Sequence, residues 1–173
     1  PCPAGWSGRD GENTVRARAG AGPPRPANVG AAPDSRGVTA ADNVVRHAVV
    51  AAFDPTVARR EGALEAVRAA AERGPVGLCS NCSVPELVPR TLIRADLRGE
   101  FDAVTTSVGC GWRKPHPSAF EAAADALGVA PDALVHVGDD PATDGGIVDV
   151  GGRLFDVTQT PLSALAGELE AEP

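Results

Sequence analysis

From Arg60 onward the sequence alternates between two kinds of segment, and this alternation restricts the fold more than any other feature. Short apolar runs, "PVGLC" (75–79), "FDAVTTS" (101–107), "ALVHV" (133–137) and "RLFDV" (153–157), read as strands. Between and around them lie "EGALEAVRAAAERG", "VPELVPRTLIRADL", "SAFEAAADALG" and "PLSALAGELE", which carry apolar residues at helical spacing. Strands separated by helices predict an α/β domain of three layers, a parallel sheet covered on both faces. In such sheets ligands bind beyond the carboxyl ends of the strands.

The best-marked helix is "SAFEAAADALG" (118–128). Ser118 and Glu121 have the spacing of a capping box, Phe120, Ala123, Ala124 and Leu127 make an apolar stripe, and Gly128 supplies a stop. In "EGALEAVRAAAERG", Leu64, Val67 and Ala71 share a face and Gly74 stands at the end. Pro89 falls in the first turns of the next helix. Further upstream, "TAADNVVRHAVVAAF" (39–53) places Val44, Val45, Ala48, Val49 and Ala52 at helical spacing. Residues 1–37 hold six Pro and seven Gly with no apolar period, which predicts an irregular segment. The expected organisation is therefore 1–37 irregular, 38–59 the helical remnant of a cap and its return to the core, and 60–173 the core itself.

Composition closes off several classes. The net charge of −7 excludes a surface built for non-specific nucleic-acid binding. No run reaches the roughly 20 apolar residues of a membrane span. Four Cys without an export signal predict a reducing, cytoplasmic setting. The chain starts at Pro1 and contains no Met, which reads as a truncated or displaced start.

Three features fall just after expected strand ends. Ser80 and Asn81 follow "VGLC"; a hydroxyl and an amide there can hold phosphate oxygens, and the same pair also makes ordinary turns. Lys114 in "GWRKPHPSAF" is the single Lys in a chain whose other fifteen basic residues are Arg. A compact ammonium suits a phosphoryl group or a crowded carboxylate where the planar Arg fork does not. In "HVGDDPATDGG", Asp139, Asp140 and Asp144 crowd together after Gly138. Clustered carboxylates need a cation or a basic group to offset them, and Mg²⁺ is held by one or two carboxylates with phosphate and water. The same acids could instead cap the following helix.

Taken in order, strand-Ser-Asn, Lys-Pro-x-Pro-x-x-Phe and Gly-Asp-Asp-x-x-x-Asp resemble the haloacid dehalogenase (HAD) superfamily, from about Pro55 to Val157. The resemblance implies a Rossmann-like parallel sheet and Mg²⁺-dependent hydrolysis of the phosphate ester of a small metabolite, through an aspartyl-phosphate. It implies Ser80 at the phosphoryl group, with Asn81 beside it, and Lys114 stabilising nucleophile and phosphoryl charge. It implies Asp139 as the metal ligand, Asp144 in support and Asp140 as a possible second ligand. The Gly-Asp-Asp loop favours phosphate chemistry over the carbon–halogen branch of the family. The sequence departs from the family in lacking a D-x-D-G-[TV] motif. Asp54 in "FDPTV" has Thr56 where the second acid belongs, and Asp10 follows nothing strand-like. The expectation is that the central nucleophile strand lies outside this chain. The remaining strands must then pair across the gap or leave edges exposed, with low stability or association as the consequence.

Other classes remain open at this stage. Cys79 and Cys82 form C-x-x-C between strand and helix, the context of a thiol–disulfide oxidoreductase. Cys79, Cys82, Cys110 and His116 are of zinc-ligand type without a recognisable knuckle spacing. His136 reads as a residue of the core or one backing the acidic loop. A catalytically inactive fragment is the third alternative, and oligomeric state is not legible.

Overall fold

A computed structural model describes residues 42–52, 56–82, 84 and 86–170. Asp10, Asp54 and the irregular segment expected over 1–37 lie outside the described residues. In chain order the elements are α1 (Asp42–Ala52), α2 (Ala63–Ala71), β1 (Gly77–Ser80), α3 (Leu87–Arg94), β2 (Ala103–Thr106) and α4 (Ser107–Cys110). They continue with α5 (Pro117–Leu127), β3 (Val135–Gly138), α6 (Pro141–Asp144), β4 (Arg153–Asp156) and α7 (Leu165–Glu170). Turns of 3-10 helix occupy Pro131–Ala133, Gly145–Val150 and Leu162–Ala164. None of the described helices is long and apolar enough to cross a membrane.

The strands form two parallel pairs rather than one sheet. β1 pairs with β2, Gly77 opposite Ala103 through Ser80 opposite Thr106. β3 pairs with β4, Val135 opposite Arg153 through Gly138 opposite Asp156. Among the described residues the pairs do not join. Between β1 and β3 runs an apolar cavity of about 670 Å³, walled among others by Leu78, Val137, Ala66, Phe120, Leu127 and Leu165. Among the described residues both strand pairs thus border one trough.

α5 packs across β1 and β2. Its Phe120, Ala119 and Ala124 are buried, while Ala123 and Leu127 are half-buried and line the trough. On the other pair, Ala66 of α2, Phe155 of β4 and Leu165 of α7 form a cluster joined by Val135 and Leu162. The buried position of α2 is therefore Ala66, one residue off the Leu64–Val67–Ala71 face read from spacing, and Ala71 is exposed. A small residue is needed there because α2 lies against α7 and the trough at once. α1 differs in the same way. Its contact is Val50, which is buried against Val84 in the loop after β1, whereas Val44 is 58% exposed.

α5 also starts earlier than the capping box implies. His116 is the N-cap, its Nδ1 accepting from the Ser118 amide, and Pro117 is the first helical residue. Ser118 is inside the helix, because Pro at the first position lacks the N–H that a cap would have to satisfy. Pro89 is tolerated in the first turn of α3 for the same reason.

Candidate active site

The sequence-marked residues collect at the carboxyl ends of β1 and β3. Ser80 is the last residue of β1, and Asn81 follows it. Asn81 spends both ends of its amide on one main chain: its Oδ1 accepts from the Lys114 N–H at 2.7 Å and its Nδ2 donates to the Lys114 carbonyl at 2.9 Å. Rather than facing a phosphate, Asn81 clamps the loop that carries Lys114. The loops after β1 and β2 are tied as well, the buried Ser107 hydroxyl donating to the Cys82 carbonyl at 3.0 Å.

Lys114 reaches from this loop to the other half-sheet. Its Nζ donates to Asp144 Oδ1 at 2.7 Å, with side chains only 12% and 5% exposed. His136, on β3, brings Nε2 to 2.9 Å from the same oxygen and 3.2 Å from the Lys114 Nζ. The other oxygen of Asp144 accepts from the Asp139 and Asp140 amides, both at 3.1 Å. A continuous polar chain therefore runs Asn81–Lys114–Asp144–Asp139 and bridges the two strand pairs.

Two glycines permit this approach. A Cβ on Gly138 would run into the Asp144 carboxylate, and one on Gly146 into the Pro115 carbonyl oxygen. The loop of Lys114 and the turn after Asp144 close on each other through bare backbone. The Lys114–Pro115 peptide is cis.

Burial alone would raise the Asp144 pKa, but hydrogen bonds from Lys114 and His136 and from the Asp140 amide, with the Lys114 charge, outweigh it and bring it to about 2. For His136, burial and then the Lys114 charge push the pKa below its usual value, against the pull of Asp144. The two shifts act on stability in the same direction. A depressed histidine favours the neutral folded ring, so stability falls as pH drops below about 6.5. A depressed carboxylate contributes stability that is complete above its ordinary value near 3.8 and lost as pH falls through about 2. Denaturant midpoints measured against pH should decline in acid in these two windows. The upper decline should shrink in His136→Gln, and the lower one in Asp144→Asn.

The three acids of the loop are not equivalent. Asp144 is committed to Lys114, His136 and two amides. Asp140 caps α6, its Oδ1 accepting from the Ala142 amide and its Oδ2 from the Thr143 hydroxyl. Asp139 is exposed, its carboxylate outside these bonds. No group of three His, Cys, Asp or Glu side chains among the described residues is arranged to hold a metal ion. A hard cation that takes one or two carboxylates with phosphate and water still fits Asp139. Asp144 fits less well, since its oxygens already accept from Lys114 and two amides and meet His136.

The sulfur-based readings lose their geometry. Cys79, Cys82 and Cys110 are in no disulfide among the described residues. The Cys82 and Cys110 thiols donate to the carbonyls of Val84 and Trp112. His116 stacks on Trp112 at 4.2 Å. Burial pushes the Cys79 thiol up to about 11, the opposite of the depressed pKa that a redox nucleophile needs. Iodoacetamide at pH 8 should leave Cys79 largely unmodified in the folded chain. Rapid alkylation there would restore the redox alternative.

His136, read from sequence only as a residue of the core or one backing the acidic loop, meets Asp144 of that loop and Lys114. Its signal is the alternation of the strand: 136 and 138 share a face, so a histidine there lies beside whatever fills the space above Gly138.

A family model described as haloacid dehalogenase-like hydrolase matches residues 11–146. Among solved structures the chain is similar to a HAD phosphatase from Thermococcus onnurineus, with 23% identity and a TM-score of 0.58 over 65% of this chain and 59% of that one. It is similar to an uncharacterised protein from Corynebacterium glutamicum ATCC 13032 Kitasato, with 25% identity and a TM-score of 0.53 over 63% of this chain and 81% of that one. A haloacid dehalogenase-like family hydrolase from Xanthomonas campestris gives 17% identity and a TM-score of 0.55 over 65% and 50%. The chain thus spans 59% of the Thermococcus structure and half of the Xanthomonas one. No curated protein matches it.

Proposed function

Because this chain belongs to the haloacid dehalogenase-like hydrolase family, we propose that the carboxyl ends of β1 and β3 form the phosphoryl-binding part of a Mg²⁺-dependent phosphate-ester hydrolase. The observation that carries this reading is the buried Lys114, the chain's single lysine, held on one side by Asp144, which His136 also meets, and on the other by Asn81 through its backbone. A phosphate monoester hydrolysed through an aspartyl-phosphate places developing charge on the phosphoryl oxygens, and a fixed ammonium offsets it. Ser80, at the end of β1, supplies a hydroxyl to the same group. Asp139 would hold the Mg²⁺, which when bound neutralises phosphoryl charge.

The nucleophilic carboxylate enters on a strand seated in the trough between β1 and β3. Such a strand would complete both parallel pairs into one sheet and deliver its last residue beside Lys114. The carboxylate oxygen attacks phosphorus, and the bond from phosphorus to the ester oxygen breaks. The alcohol leaves with a proton given by a second acid two residues further along that strand, and water then cleaves the acyl phosphate to free phosphate and restore the carboxylate. The favoured substrate class is a small phosphorylated metabolite.

The test is phosphate release from an aryl phosphate with and without Mg²⁺, using this chain and Asp139→Asn. Mg²⁺-dependent turnover that the variant loses supports the reading and places a nucleophile inside the chain, with Asp54 and Asp10 as the next substitutions. Turnover indifferent to both Mg²⁺ and Asp139 would contradict it. No turnover from folded protein would leave the catalytically inactive fragment as the reading for this chain.

A further inference from the structure

The Lys114 Nζ, His136 Nε2 and Asp144 Oδ1 atoms form a closed triangle with sides of 2.7, 2.9 and 3.2 Å. An ammonium has three N–H donors and no acceptor, while each nitrogen of a neutral imidazole is either one or the other. Two arrangements of protons are therefore available. With a bare Nε2, its lone pair would face the lone pairs of Oδ1 at 2.9 Å with no proton between them, in a place almost closed to water. That nitrogen would also draw a second proton from Lys114. With the proton on Nε2, the ring donates to Oδ1, the 3.2 Å contact is not a hydrogen bond, and Lys114 spends one proton on Asp144. Two then remain.

We propose that His136 is a positioning residue for Lys114. As the tautomer protonated on Nε2, it occupies Asp144 Oδ1 alongside the ammonium and leaves two lysine protons free to point at the phosphoryl group. The functional part of this rests on the reading of Lys114 given above. The rest of the geometry holds the arrangement in place. Asp144 cannot swing its other oxygen round, because that oxygen takes the Asp139 and Asp140 amides. The imidazole cannot easily turn, because Phe120, 1% exposed, stands edge-on to it with centroids 5.2 Å apart and planes at 76°. Burial and the neighbouring ammonium keep the ring neutral.

Lys114 being the sole lysine makes the test clean. Long-range proton–nitrogen correlations of the imidazoles, with the His136 ring assigned by its loss in His136→Gln, report the tautomer directly. Protein labelled on the lysine ζ-nitrogen reports the single side-chain ammonium, which is visible when it is held and lost to exchange when it is free. His136→Gln keeps a donor near Nε2 and loses the ring; His136→Phe keeps a ring against Phe120 and loses the donor. The expected results are an Nε2–H ring and an ammonium signal that keeps its position in His136→Gln and shifts in His136→Phe, where Asp144 Oδ1 loses the ring donor and draws the lysine protons to itself. A ring protonated on Nδ1, or an ammonium signal that stays in place in His136→Phe, would overturn the proposal. If His136→Phe does not fold, His136→Gln decides alone: a signal that keeps its position supports and one that shifts refutes. None of these readings needs turnover, so failure of the phosphatase reading would show separately, as an inactive chain with the tautomer intact.

Discussion

In protein that turns over, replacing Lys114 with alanine is expected to lower phosphate-ester turnover by about 10²–10³-fold, the usual cost of removing one preorganised charge-stabilising donor. The same change should destabilise the fold by about 3 kcal/mol, the lower end of the cost of stranding one partner of a buried ion pair. The lower end applies because Asp144 keeps His136 and two amides as donors. Lys114→Arg should recover little of the turnover. The space holds a point charge between Oδ1 and an imidazole nitrogen, and a planar fork has no room to lie there. The Arg68–Glu100 pair is the control. It is bidentate at 3.0 and 3.3 Å, but the arginine is 62% exposed, so solvent screens it and Arg68→Ala should leave both turnover and melting nearly unchanged. Equal effects of the two lysine and arginine substitutions would mean that burial of the Lys114 pair counts for nothing.

The second large effect is structural. Phe120→Ala should cost about 3 kcal/mol, read as a lower urea midpoint at unchanged slope. Phe120 is the largest of the fully buried side chains and touches everything that matters here: it lines the trough, belongs to the helix over β1 and β2, and braces the His136 ring. A change below 1 kcal/mol would mean that the helix α5 is held by something other than this residue.

How far the sequence carries can be judged from individual residues. The four strands and the helix ending at Gly128 are legible because each is short, apolar and bounded by Gly or Pro. The lack of a D-x-D motif is read from sequence alone; among the described residues the strands stand as two separate pairs with a trough between them. What fails is anything set by a partner distant in sequence. Val50 rather than Val44 is buried because the facing residue is Val84, from a loop with no periodicity to read. Ala66 is buried because α2 meets α7, about a hundred residues on.

The site shows the same division. Ser80, Lys114 and Asp139 stand out by type and by their places after strand ends. The parts taken by Asn81, Asp144 and His136 do not, because each depends on Lys114 reaching across between the strand pairs. Spacing marks Asp144 as acidic. Only the approach permitted by Gly138 shows that its oxygens are already shared among Lys114, His136 and two amides.

The central claim is that the ends of β1 and β3 make one phosphoryl site around Lys114. Titrating inorganic phosphate with Mg²⁺ into the chain, while following the single lysine ζ-ammonium resonance, tests it most directly. The account predicts a saturable shift that is weakened in Ser80→Ala and Asp139→Asn and unaffected in Arg68→Ala. A resonance that does not move up to tens of millimolar phosphate, or one that moves equally in all three variants, would contradict it.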